Sequence, residues 1–139
     1  MVAYLDSSVA LNYLLAGGVE IRHALEFPRV VSSELLEIEC RRVIQRCRLQ
    51  GLLDDAGMVE ATGRLDELLR SVDLFECSAG VTRRAMESFP VVVKTLDALH
   101  LSTALRFNAL DDESSVDLFS VDRQMNLCAR AVGLRAVLA

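Results

Sequence analysis

The chain has 139 residues, a length that predicts a single domain over residues 1–139. Its formal net charge of −5 counts against a broad phosphate-binding surface. Hydrophobic residues make up 52% of the sequence, but no apolar run approaches the roughly 20 residues that a membrane span requires. The first residues lack the basic region and long apolar block of a signal peptide, so we expect a cytoplasmic protein with no membrane contact.

Short apolar runs alternate with helical patterns along the whole chain. This alternation of strands and helices predicts a mainly parallel sheet that is covered by helices on both faces. The predicted strands are 2–5, 29–31, 72–76, 117–121 and 134–138. The predicted helices are roughly 8–15, 18–26, 33–50, 56–70, 79–88, 95–108 and 122–131. The acid-rich stretch 111–115 is predicted to be a solvated loop before the fourth strand.

The first predicted strand is followed directly by an acid, Asp6, and then by Ser7 and Ser8. A side chain just past the carboxyl end of a strand lies where open α/β sheets bind their ligands. Helix capping is an alternative explanation for an aspartate in this place. Ser8 is itself predicted to cap the helix that follows.

The third predicted helix carries three glutamates, but only one of them falls on its apolar side. At about 3.6 residues per turn, Glu39 lies between Leu35 and Val43. Glu34 and Glu37 lie toward polar residues or at the edge of the apolar side. Glu39 is therefore predicted to point into the protein.

The sixth predicted helix has the same feature, because Asp97 lies on one line with the apolar residues Leu101 and Ala104. Asp97 is therefore also predicted to point inward. His100 follows Asp97 by one turn and lies near Ala104 and Phe107. We expect a partly buried structural histidine, and a role as metal ligand or general base is the weaker alternative.

A fourth acid, Asp122, follows the strand 117–121 and precedes a helix, as Asp6 does at the first strand. The two strand-end acids and the two inward acids form a predicted cluster. Buried carboxylates repel one another unless cations lie among them, and hard divalent ions with oxygen ligands meet this need. Such ions activate water and neutralise charge in phosphodiester cleavage. Because the chain has 20 acids, the pattern alone leaves this interpretation open.

Neighbouring polar residues are candidates for supporting roles. The hydroxyls of Ser7 and Ser120 are expected to order a carboxylate or a bound water. Arg42 and Arg46 flank Glu39 on its helix and are expected to contact the phosphate backbone of a nucleic acid. A simple ion pair of Glu39 with either arginine is the alternative.

Four segments of the chain, in a fixed order, carry the residues described above. The segments are Tyr4–Leu11, Val31–Arg42, Leu96–Ala104 and Phe119–Arg123, and a Gly133-Leu134 pair leads into the last strand. Together they resemble the motifs of the PIN-domain ribonucleases, and most closely those of the VapC toxins of type II toxin–antitoxin pairs. The third segment is the most specific of the four, and the resemblance covers essentially the whole chain.

The resemblance implies a PIN fold, which is a Rossmann-like three-layer α/β/α arrangement with a central, mainly parallel five-stranded sheet. It implies a single-strand-directed endoribonuclease that needs Mg²⁺ or Mn²⁺ and cleaves RNA by metal-activated water, leaving a 5′-phosphate and a 3′-hydroxyl. It further implies a small cognate antitoxin protein as partner, and a homodimer. The implied catalytic and metal-binding residues are Asp6, Glu39, Asp97 and Asp122.

The chain departs from the family pattern at two places. Ser120 stands where many members have threonine, and Arg123, Gln124 and Asn126 follow Asp122 where some members carry a further acid. The sequence therefore leaves open whether one or two ions bind. The alternative function is a catalytically silent PIN-fold module that holds RNA or a regulatory protein, and the presence of all four acids argues against it.

Overall fold

The computed structural model describes residues 1–110 and 115–139, and within these ranges it contains all the predicted strands and helices. The loop predicted over 111–115 lies outside the described residues except for its last residue. The strands are β1 (Val2–Leu5), β2 (Arg29–Ser33), β3 (Asp73–Phe75), β4 (Val116–Phe119) and β5 (Arg135–Ala136). The helices are α1 (Ser7–Ala16), α2 (Glu20–Leu25), α3 (Leu35–Leu49), α4 (Asp55–Leu69), α5 (Ala79–Ala85), α6 (Thr95–Leu110) and α7 (Arg123–Ala131).

The strands form one parallel sheet in the order β3-β2-β1-β4-β5. β1 lies at the centre and consists of four buried apolar residues, as expected for a strand with a parallel neighbour on each side. The chain leaves β1 in one direction for β2 and β3, and then returns to the opposite side of β1 for β4 and β5. In open α/β sheets, ligands bind beside the carboxyl ends of the strands at such a reversal point.

Helices cover both faces of the sheet and give the fold three layers. Ala3 and Leu5 of β1 face a core that is completed by helices α1 to α4. Val2 and Tyr4 face a second core that is completed by α6 and α7. Successive side chains of a strand point to opposite faces, so β1 contributes to both cores. The predicted three-layer α/β/α fold is confirmed, and its central sheet is entirely parallel in the described residues.

The lengths and the hydropathy of the helices give one further finding. No helix in the described ranges is both long enough and apolar enough to cross a membrane. The apolar side chains instead pack into the two cores beside the sheet.

Candidate active site

The carboxyl ends of β1 and β4 place two acids side by side. Leu5 pairs with Phe119 in the sheet, and the amide N–H of Asp6 donates to the Phe119 carbonyl at 3.0 Å. Asp6 and Asp122 both have extended backbone and occupy the N-cap positions of α1 and α7. The reversal point of the sheet therefore has an acid at the end of each of its two strands.

Asp6 is held by serine hydroxyls and does not serve as a helix cap. It is only 3% exposed, and its side chain makes no capping hydrogen bond to α1. Ser8 and Ser120 instead donate to Asp6 Oδ2, at 2.6 and 2.8 Å. The prediction that Ser8 caps the helix is wrong, because α1 already begins at Ser7 and Ser8 lies inside it. Capping therefore does not explain why this carboxylate is buried.

Asp122 does cap its helix, but with only one carboxylate oxygen. Its Oδ1 accepts hydrogen bonds from the amide N–H groups of Gln124 at 2.9 Å and Met125 at 3.2 Å. Its Oδ2 accepts no hydrogen bond from the described part of the chain. Capping fixes the orientation of the carboxylate and leaves Oδ2 accessible to a cation.

Glu39 reaches the same region from α3. The hydroxyl of Ser7 donates to Glu39 Oε2 at 2.9 Å, and the His100 Nε2 atom lies 2.6 Å from Oε1. Neither Arg42 nor Arg46 forms an ion pair with Glu39 among the described residues. The alternative explanation of Glu39 as part of a simple surface ion pair is therefore not supported.

The other two glutamates of this region have different partners. Glu37 forms a surface ion pair with Arg41 at 2.7 Å. Glu34 accepts a hydrogen bond from the amide N–H of Cys77 at 3.1 Å, which ties the start of α3 to the segment after β3. Glu39 is thus the glutamate of this region that approaches the strand-end acids, as its position on the helix predicts.

Asp97 lies in the first turn of α6, on the same side as the buried residues Leu101 and Ala104. The pKa of its carboxyl is raised to about 6, first by burial and then by the charges of Asp6, Asp122 and Glu39, against a lowering by His100. Electrostatic effects of this kind require short separations. Asp97 therefore lies within electrostatic reach of the other three acids.

His100 is the residue whose role the sequence underestimates. It is 0% exposed, its Nε2 atom contacts Glu39 at 2.6 Å, and its Nδ1 atom lies 2.7 Å from the Tyr4 hydroxyl. Burial lowers the pKa of His100, but the hydrogen bond to Glu39 and the charges of Asp6, Glu39 and Asp97 outweigh it, and the net pKa is raised. The available signal was its spacing of one turn from Asp97, which places both on one helix side.

The donor set fits a hard divalent cation. All four acids offer carboxylate oxygens, which Mg²⁺ and Mn²⁺ prefer. Within residues 1–110 and 115–139, their ion-pair partners include no lysine or arginine, and the His100 imidazole is the group that approaches Asp6 and Glu39. In the same ranges no three His, Cys, Asp or Glu side chains are already gathered at ligand distances. The residues therefore match such an ion in chemistry and charge, and complete coordination requires side-chain adjustment.

The predicted phosphate contacts lie outside this cluster. Arg42 and Arg46 have exposed side chains, one and two turns along α3 from Glu39. They line a surface recess of about 260 Å³ together with Gln45 and Leu49. Neither arginine has a salt-bridge partner in the described ranges, so both guanidinium groups are accessible to an anionic ligand.

Comparisons with known proteins give a family and a fold. The sequence model of the PIN domain family matches residues 3–129. No curated protein sequence matches the chain. Among solved structures, the chain is similar to one in the crystal structure of VapBC2 from Rickettsia felis bound to a DNA fragment from their promoter. That match covers 98% of this chain and 97% of the other, with a TM-score of 0.70. The sequence identity is 14%, so the match shows a shared fold.

Asp97→Asn is expected to stabilise the metal-free protein by about 1–2 kcal/mol at neutral pH. The Asp97 pKa of about 6 in the folded protein exceeds its ordinary value of 3.8, so losing the proton destabilises the fold as pH rises through this window. The advantage of asparagine should therefore shrink as the pH falls from 7 to about 4. Urea unfolding in EDTA across this range measures the trend, and an advantage independent of pH would contradict it.

Proposed function

The chain belongs to the PIN domain family, and we propose that it is a Mg²⁺- or Mn²⁺-dependent endoribonuclease that cleaves single-stranded RNA. The observation that carries this proposal is the grouping of acids at the reversal point of the sheet, where Asp6 and Asp122 follow neighbouring strands. Glu39 reaches the same place, because His100 Nε2 lies 2.6 Å from Glu39 Oε1 and 4.0 Å from Asp6 Oδ1. The raised pKa of Asp97 agrees with this grouping. Carboxylates brought this close repel one another unless a cation binds among them. Divalent ions held by carboxylates are the usual means of phosphodiester hydrolysis.

Hydrogen bonds from neighbouring residues orient three of the carboxylates of the proposed site, those of Asp6, Glu39 and Asp122. A divalent ion bound there supplies Lewis acidity, which activates water and neutralises charge on the phosphodiester. The serine hydroxyls hold Asp6, and the helix cap holds Asp122. Asp97 carries a proton at its carboxyl below about pH 6, so cation binding competes with that proton. The residues proposed to hold the ion are Asp6, Glu39, Asp97 and Asp122.

The proposed reaction is a hydrolysis that needs no covalent protein nucleophile. The oxygen of water bonds to phosphorus in line with the leaving group. The bond from phosphorus to the 3′-oxygen breaks, and that oxygen takes up a proton. The products are a 5′-phosphate on one fragment and a 3′-hydroxyl on the other.

Glu39→Gln is expected to lower the rate of cleavage of a single-stranded RNA by about 100-fold or more, because the neutral amide is a poor cation ligand. Glu37→Gln is the matched control, since Glu37 lies on the same helix and pairs with Arg41 at the surface. Gel assays with Mg²⁺, Mn²⁺ or EDTA measure both rates. Equal activity of wild-type protein and Glu39→Gln would sink the site assignment, and RNA binding without any cleavage would favour a silent binding module.

We also propose that Arg42 and Arg46 contact the phosphate backbone of the RNA. Support comes from their exposure on the same helix as Glu39 and from the recess that they line. Contacts of this kind orient RNA without reading its sequence. They also provide local positive charge on a chain whose formal net charge is −5.

The double variant Arg42→Ala/Arg46→Ala is expected to weaken RNA binding and to reduce the slope of log affinity against log salt by about 1.4, or about 0.7 per lost contact. Arg70→Ala is the control, because this exposed arginine precedes β3 at the opposite, amino end of the sheet. Fluorescence anisotropy with a labelled single-stranded RNA measures the slopes. An unchanged slope in the double variant would exclude these contacts.

We further propose that the protein is a cytoplasmic, homodimeric toxin that pairs with a small antitoxin protein. The shared fold with a chain of VapBC2, which was crystallised bound to a DNA fragment from their promoter, supports this role. The family resemblance of the four sequence motifs supports it independently.

Expression of the wild-type protein alone is expected to arrest bacterial growth, whereas Glu39→Gln at equal level should permit growth. Co-expression of the small protein encoded beside it should relieve the arrest and yield a co-purifying complex. Growth curves with matched immunoblots measure this difference. Normal growth with full-level wild-type protein would contradict the toxin role and leave the nuclease assignment to be judged by RNA cleavage.

A further inference from the structure

A buried chain of hydrogen bonds runs from the central strand of the sheet to Glu39. The Tyr4 hydroxyl lies 2.7 Å from His100 Nδ1, and His100 Nε2 lies 2.6 Å from Glu39 Oε1. Ser7 donates to the other oxygen, Oε2, at 2.9 Å. Tyr4 and His100 are both 0% exposed, and their rings meet edge to face with centroids 5.8 Å apart.

The chemistry of the groups fixes the direction of the central hydrogen bond. A carboxylate oxygen can only accept, so His100 Nε2 carries a hydrogen and donates it to Glu39. In the neutral imidazole the Tyr4 hydroxyl then donates to Nδ1. Both ring nitrogens are therefore used, and the ring is held from two sides.

Glu39 depends more on such support than the other acids do. Its helix, α3, packs in the first core together with α1 and α4, whereas His100 lies on α6 in the opposite layer. The glutamate side chain must therefore reach across the carboxyl edge of the sheet through three rotatable bonds, which allow several rotamers. One donor on each oxygen, from α1 and from α6, restricts the carboxylate to one orientation.

Tyr4 connects this support to the buried central strand of the sheet. It lies in β1, where it pairs with Val31 of β2 on one side and Leu118 of β4 on the other. Asp6 directly follows the same strand, and its Oδ1 lies 4.0 Å from His100 Nε2. The central strand thus sets the position of Asp6 directly, and that of Glu39 through Tyr4 and His100.

We infer that His100, anchored by Tyr4, is a positioning residue that orients the Glu39 carboxylate toward the other acids for binding of the divalent ion. The inference rests on the proposed function, because it assigns His100 a purpose within that site. His100 itself is not assigned as a ligand, since its Nε2 atom is committed to Glu39 and its Nδ1 atom to Tyr4.

Two substitutions at His100 separate positioning from simple packing. His100→Gln keeps an amide N–H near the place of Nε2, where it can still donate to Glu39. His100→Asn places its amide near Nδ1 and leaves Glu39 without this donor. Ser102→Ala is the matched control, because Ser102 is 1% exposed on the same helix and donates to the Val81 carbonyl of α5, at 2.6 Å.

Calorimetric titration with Mn²⁺ measures the effect on ion binding. We expect His100→Asn to bind Mn²⁺ about 10–100-fold more weakly than wild-type protein, as is typical when a partner of a metal ligand is removed. His100→Gln should recover most of this loss, and Ser102→Ala should bind like wild type. Tyr4→Phe removes only the hydroxyl that contacts His100 Nδ1, so its Mn²⁺ affinity should lie between those of wild type and His100→Asn. Equal Mn²⁺ affinity of all these proteins would overturn the inference.

A metal-free measurement tests the contact itself, even if His100→Asn fails to fold. The ¹H–¹⁵N correlations of the imidazole should show a hydrogen on His100 Nε2, and Glu39→Gln should shift that resonance. An Nε2 resonance that is insensitive to Glu39→Gln would overturn the inference. Absence of Mn²⁺ binding by wild-type protein would overturn the proposed function, and the ion-positioning role with it, while the metal-free resonances would still report whether His100 holds Glu39.

Discussion

Crowding of like charges at the carboxyl ends of β1 and β4 is the constraint on which the rest of the site depends. Asp6 is almost completely buried there, and the pKa of Asp97 is raised to about 6 by burial and by the three other acids. In the described residues, the hydrogen-bond donors to these carboxylates are mainly neutral groups, namely serine hydroxyls and backbone N–H groups. Such donors orient carboxylates but leave the negative charge for a cation to balance.

The topology of the sheet explains how residues so distant in sequence reach one place. The reversal between β1 and β4 brings Asp6 and Asp122 onto neighbouring strand ends. The two helical layers then contribute one acid each, Asp97 from α6 and Glu39 from α3. Because Glu39 comes from the opposite layer, its hydrogen bond to His100 joins both layers above the edge of the sheet. Fold and site therefore depend on the same contacts.

Much of this arrangement could be predicted from local sequence patterns. Strand ends identified Asp6 and Asp122, and helical periodicity favoured Glu39 over Glu34 and Glu37, since these signals depend on residues close in sequence. The His100 contact joins residues 61 positions apart, so no local pattern could reveal it. The prediction that Ser8 caps α1 is wrong for another reason, because the helix begins one residue earlier than expected. Ser8 therefore lies inside the helix, where its hydroxyl donates to Asp6.

The central claim is that the four acids form one site for a divalent ion, and diffraction from crystals soaked in Mn²⁺ tests it most directly. The anomalous signal of manganese locates the ion without reference to activity. We expect an anomalous peak at coordinating distance from Asp6 and from at least one other of Glu39, Asp97 and Asp122. Saturating Mn²⁺ with no peak at these carboxylates, or with an ion bound only elsewhere, would contradict it.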